Sequence, residues 1–238
     1  MNEFLLQNYS WITHGVEIIA ALAGIFCFKK YKNTKIKYFI WFLMYVAILE
    51  LVGSYPRYVI AFEFLKDAKE YLKGTKFQNN YWFFTIFWSI GSALFYTFYF
   101  RMNIKSNVFK TILNYGIILF LAGTTIHLAI NGNLFFSVRP IFINVSGVSI
   151  ILLAIIFYLL EILKSDKVLK FHKSINFYIA ATVLLWLMIT TPLTFYNNYF
   201  SSADWNFVFL KWQIFLFANV FMYLTFTFAL LWCNPHND

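Results

Sequence analysis

Seven stretches of about twenty residues, nearly free of charge, alternate with short polar segments. They cover roughly residues 9–28, 38–59, 81–100, 108–130, 141–163, 175–195 and 208–232. A helix needs about 20 apolar residues to cross the hydrocarbon core of a bilayer. Inside that core only helices and closed barrels satisfy every backbone polar group. Unbroken apolar runs of this length, without period-two alternation, read as helices. The predicted fold class is all-α: a polytopic membrane protein with seven transmembrane helices in one domain, residues 1–238. The connecting segments leave no room for a soluble domain.

One connection has its own periodicity. Between about residues 58 and 73, Tyr58, Ala61, Leu65, Ala68 and Leu72 recur at helical spacing, with Glu63, Lys66, Asp67, Lys69, Glu70 and Lys73 on the remaining face. This predicts an amphipathic helix lying along the outer interface or extending the second span, with Gly74 as its stop. Trp11, Trp82, Trp205, Trp212 and Trp232 fall near predicted span ends, as an aromatic belt requires.

Composition agrees with the pattern. Of the 238 residues 61% are hydrophobic and 12% charged, about half the charge of a soluble domain, too little to cover a globular surface in water. Nine glycines and four prolines exclude collagen-like or low-complexity order. A net charge of +9 in a soluble chain would raise nucleic-acid binding. Here the lysines and arginines cluster between spans, where they set topology, and no nucleic-acid partner is predicted. With the N-terminus outside, the inner loops carry 12 of the 19 basic residues: Lys29, Lys30, Lys32, Lys35, Lys37, Arg101, Lys105, Lys110, Lys164, Lys167, Lys170 and Lys173. The expected orientation is therefore N-out and C-in. Before Ser10 there is Glu3 and no basic residue, so the first run reads as an uncleaved span rather than a secretory signal.

The second and sixth spans share a layout. Lys37 and Pro56 bracket one, Lys173 and Pro192 the other, each pair 19 residues apart. Pro56 and Pro192 are candidate helix-kink positions, and their match hints at a three-plus-one-plus-three repeat of helices 1–3 and 5–7. Interrupted helices in corresponding positions point to a central binding site.

Ionisable groups in hydrocarbon are costly and usually face the bundle interior or water. His14 and Glu17 are three residues apart on the first span, on one face. Glu50 is on the second span, with Arg57 two turns beyond. His127 is near the outer end of the fourth, followed by Asn131 and Asn133. Asn144 is near the outer end of the fifth, and Lys211 and Asn219 are on the seventh. In the N-out orientation these groups share the outer half of the membrane, which predicts a polar cavity opening outward. Glu17, Glu50, His14, His127, Arg57, Lys211 and Asn219 are the candidate ligand- or proton-binding residues. Each has a plainer role open to it: His14 at the interface, His127 in an interhelical hydrogen bond, Asn219 as helix–helix glue, and the carboxylates in structural ion pairs.

Catalytic chemistry finds no foothold. No GxSxG, P-loop or GxGxxG segment exists. His14, Glu17, Glu50 and His127 are of metal-binding types, but they lack HExxH spacing and come from three helices, so no metal and no cofactor is assigned. A retinal protein would need a mid-membrane lysine, whereas Lys211 lies near a span end. Cys27 and Cys233 end the first and last runs without CxxC spacing; they read as two unrelated buried thiols.

The segment Lys32-Asn33-Thr34-Lys35-Ile36-Lys37-Tyr38-Phe39, running into Glu50 and Gly53, resembles a group of small uncharacterised seven-transmembrane proteins of Bacteroidota. So does Glu161-Ile162-Leu163-Lys164-Ser165-Asp166-Lys167, followed by the span ending in Pro192. Some of that group are encoded near sensor histidine kinases. The resemblance implies a multi-pass bacterial inner-membrane protein in a signalling context, and it supplies no site residues. SWEET-type and nicotinamide-riboside transporters are similar in architecture alone, because the proline-glutamine motif is replaced by Pro56-Arg57 and Pro192-Leu193. Size also fits a membrane accessory protein of a type VI-B CRISPR locus. The expected function is a non-enzymatic sensor or regulatory subunit whose outward polar cavity takes a small-molecule ligand or protons. It would act through a membrane or cytoplasmic signalling partner. The alternatives are a small-solute transporter or pore and a structural or CRISPR-type accessory protein. The sequence leaves the oligomeric state undetermined.

Overall fold

The computed structural model describes residues 2–132, 134–164, 171–196 and 205–235. Every regular element among them is helical: α1 (Asn2–Tyr31), α2 (Ile36–Gly53), α3 (Tyr55–Ala61), α4 (Lys66–Leu72), α5 (Tyr81–Phe83), α6 (Gly91–Asn103), α7 (Asn107–Ile130), α8 (Ile141–Leu163), α9 (Ile175–Tyr196) and α10 (Trp205–Trp232). A π-helical segment, Phe84–Ile90, joins α5 to α6, so that Tyr81–Asn103 runs as one rod. Among the described residues seven helices are long and apolar enough to cross a membrane. The protein is an all-α, multi-pass membrane protein. Asn133, Ser165, Asp166, Lys167 and Lys170 lie outside the described residues.

Contacts divide the chain into two compact units, Met1–Ala47 with Tyr158–Asp238, and Ile48–Phe157. In the first, α10 is the hub. Ala20, Ala21 and Gly24 keep one face of α1 thin, and a Cβ on Gly24 would lie 3.0 Å from Ile40 of α2. Phe39 meets Phe226 of α10 edge-on at 5.0 Å, and both rings are buried. Small residues at such crossings let helices gain dispersion contact, the main attraction available when lipid is as apolar as the side chains. At its last turn α1 also holds the end of α10. The Tyr31 hydroxyl reaches the carbonyls of Cys233 (2.7 Å) and Leu230 (3.2 Å), and Lys30 Nζ approaches those of Leu230 and Leu231 at 3.4 and 3.3 Å. These are carbonyls that a helix end leaves without intrahelical donors. Thr34 makes the following turn, its Oγ1 donating to Tyr31 O at 2.8 Å and accepting from the Ile36 amide.

In the second unit glycines again set the approach. Gly116 faces Ile150 and Gly123 faces Phe142, bringing α7 onto α8, while Gly147 of α8 lies against Ala93, the Ser89 carbonyl and Phe120. Phe109 and Phe157 stack at 4.3 Å. Ser106 caps α7, its side chain accepting from the Phe109 amide.

The stretch between α2 and α5 differs from the single helix read over about 58–73. Phe62 is extended (φ −108°, ψ 119°) and separates α3 from a 3₁₀ turn at Glu63–Leu65, after which α4 begins. The Phe62 amide still donates to the Tyr58 carbonyl at 2.9 Å, but its extended ψ turns the following residues off the helical path, so the amphipathic pattern is divided among three short pieces. Gly74 does end the excursion, in the left-handed region at φ 78°.

Candidate functional site

His14 and Glu17 lie one turn apart on α1, within the membrane-crossing stretch Asn8–Tyr31. His14 Nδ1 is 3.4 Å from Glu17 Oε2, and the side chains are 16% and 4% exposed. The i,i+3 spacing puts both on one face. That face turns inward because Val16, Ala20 and Ala21 are buried beside them. A carboxylate away from water needs a charge partner or a proton, and the imidazole next to it supplies either. An imidazole held against a carboxylate in this way is suited to proton or cation binding. Thr13, also buried, returns its hydroxyl to the Tyr9 carbonyl at 2.9 Å and takes no part in the pair.

Glu50 lies half-buried in the last turn of α2, a helix unbroken from Ile36. Of the residues proposed from sequence, His14 and Glu17 are brought into contact within one unit.

His127 is in the last turn of α7, where its ring stacks on Phe142 of α8 at 5.2 Å and 20°. Asn131 Nδ2 sits 3.5 Å from His127 Nδ1 and 3.3 Å from its carbonyl. Its surroundings are those of an interhelical packing residue. Asn219 accepts a hydrogen bond from Trp186 Nε1 at 2.7 Å, linking α10 to α9. Lys211 is half-buried near the start of α10, and Arg57 is exposed on α3.

The two prolines occupy different settings. Pro56 is in the first turn of α3, after a break at Ser54, where its missing N–H is no loss. Pro192 lies inside α9 and has no N–H for the Met188 carbonyl. Only the second interrupts a spanning helix. Cys27 and Cys233 are buried and are not joined in a disulfide.

Sequence reasoning missed several polar contacts. Trp186 was given no role, although a tryptophan one helix from a mid-span asparagine is a natural donor to it. Ser89 donates to Asn144 Oδ1 at 2.6 Å from within the π segment, and π turns leave no mark in apolar periodicity. No family model matches the chain, and no curated protein or solved structure matches it.

Proposed function

We propose that the chain is a non-enzymatic integral membrane sensor or regulatory subunit. Its input is a proton or small cationic ligand at His14 and Glu17, and its output passes through a partner contacting the lysine-rich loops. The observation that carries this reading is the ion-pair geometry at 3.4 Å, with Glu17 only 4% exposed, in the middle of a membrane-crossing helix. Ionisable groups so placed are expensive and are usually retained for function.

The test is photo-crosslinking in native membranes from Lys32 and Lys105 at two external pH values. The expected result is one defined partner, whose crosslinking yield follows pH in the wild type and is insensitive to pH in Glu17→Gln. Absence of a partner, or a pH response unchanged in that variant, would discard the proposal.

A further inference from the structure

Between α2 and α5 the chain makes a closed excursion. Asn80 Nδ2 donates to the Gly53 carbonyl at 2.7 Å, pinning the end of α2 to the start of the next span. The Tyr55 hydroxyl lies 2.6 Å from the Phe77 carbonyl and 3.0 Å from that of Asn79, and Trp82 Nε1 approaches the same hydroxyl at 3.4 Å. Rings of Phe83 and Phe84 fill the space over Gly53, where a Cβ would lie 2.7 Å from Phe84. This neck is stitched on both strands, so whatever lies beyond it is held at the membrane face where α2 ends.

Beyond the neck, α3, the 3₁₀ turn and α4 contain no buried residue. Ile60 is 72% exposed, Phe64 80% and Tyr71 83%. Lys66, Lys69, Lys73 and Lys76 are also exposed, and the first three recur at i, i+3 and i+7, forming one stripe. Large rings left in water lose the favourable transfer that drives folding. Tethered at both ends to spans, this segment has one apolar medium within reach, the bilayer interface. There rings settle at headgroup depth and lysines meet phosphates.

We propose that residues 56–76 form an interfacial element that lies in the headgroup layer and retains anionic phospholipid through Lys66, Lys69, Lys73 and Lys76. The rings supply insertion and the lysines supply the choice of headgroup. The reading does not depend on the His14–Glu17 pair.

The full-length protein tests this in two arms. In the first, Phe64→Cys carries an environment-sensitive dye in vesicles of phosphatidylcholine with phosphatidylglycerol; the native thiols are buried, and labelled wild type is the control. Quenching by lipids spin-labelled near the headgroup is expected. A dye that stays water-exposed overturns the proposal and marks the segment as a surface for a protein instead. In the second arm, lipids copurifying from the same mixture are measured for wild type and for a variant with all four lysines changed to Gln. Each lysine should contribute up to about fivefold at low salt, so the variant should lose most of its phosphatidylglycerol enrichment with unchanged thermal unfolding. Wild-type enrichment in the variant would overturn the headgroup assignment.

Discussion

The indole N–H of Trp186 points at the side-chain oxygen of Asn219, 2.7 Å away, and ties α9 to α10 in the middle of two membrane-crossing helices. The bond gives Asn219 a packing role and accounts for a polar group at that depth. Interhelical hydrogen bonds of this kind contribute about 0.6 kcal/mol on average and up to ~1.7. Trp186→Phe and Asn219→Leu should each lower the thermal midpoint in detergent by a few degrees. The double variant should cost clearly less than the sum, because the second change removes a group already left unpaired.

Breaking the His14–Glu17 pair should be more damaging than breaking that bond. Removing one partner of a buried pair costs about 3–5 kcal/mol, because it strands the other charge. His14→Ala should therefore unfold more readily than Glu17→Gln, which replaces the acid by a neutral group of the same shape. Equal unfolding curves for these two variants would mean that the pair is not ionic.

Gly53 offers a steric test of the neck. A methyl there would meet Phe84 at 2.7 and 2.9 Å and Phe83 at 3.0 Å. Gly53→Ala should cost about 1–3 kcal/mol by overpacking and speed protease cleavage between Lys66 and Lys76. Gly15→Ala is the control, since nothing lies within 4 Å of its added methyl, and it should not destabilise.

Tyr31→Phe removes the hydroxyl that reaches Cys233 O and Leu230 O while keeping the ring. The loss should be about 1 kcal/mol. Cys233, now 1% exposed, should react faster with a maleimide, while Cys27, one turn back inside α1, keeps its wild-type rate. A parallel rise at both thiols would indicate general loosening.

The spans were legible because crossing a bilayer imposes one dominant demand, about twenty apolar residues, that composition alone meets. The His14–Glu17 pairing was legible for a similar reason: i,i+3 spacing fixes a shared helix face whatever the neighbours do. The excursion was less so. Tyr58, Ala61, Leu65, Ala68 and Leu72 keep helical period across Phe62, and periodicity does not register the single extended residue that breaks the rod. Nor could spacing distinguish Pro56, which opens a helix, from Pro192, which lies inside one. The π turn around Ser89 leaves no mark in apolar periodicity, and the partner of Asn219 sits on a neighbouring helix 33 residues away, beyond any local pattern.

The hold of Tyr31 on the end of α10 orders events during synthesis. Its hydroxyl and the Cys233 carbonyl belong to residues 202 positions apart. Ribosomes add roughly 5–20 residues per second, so the end of α1 waits on the order of 10–40 s for its acceptors on α10. Throughout that interval Lys30 and Tyr31 are available to the insertion machinery or to a chaperone. The contact between α1 and α10 therefore closes only after α10 has been made.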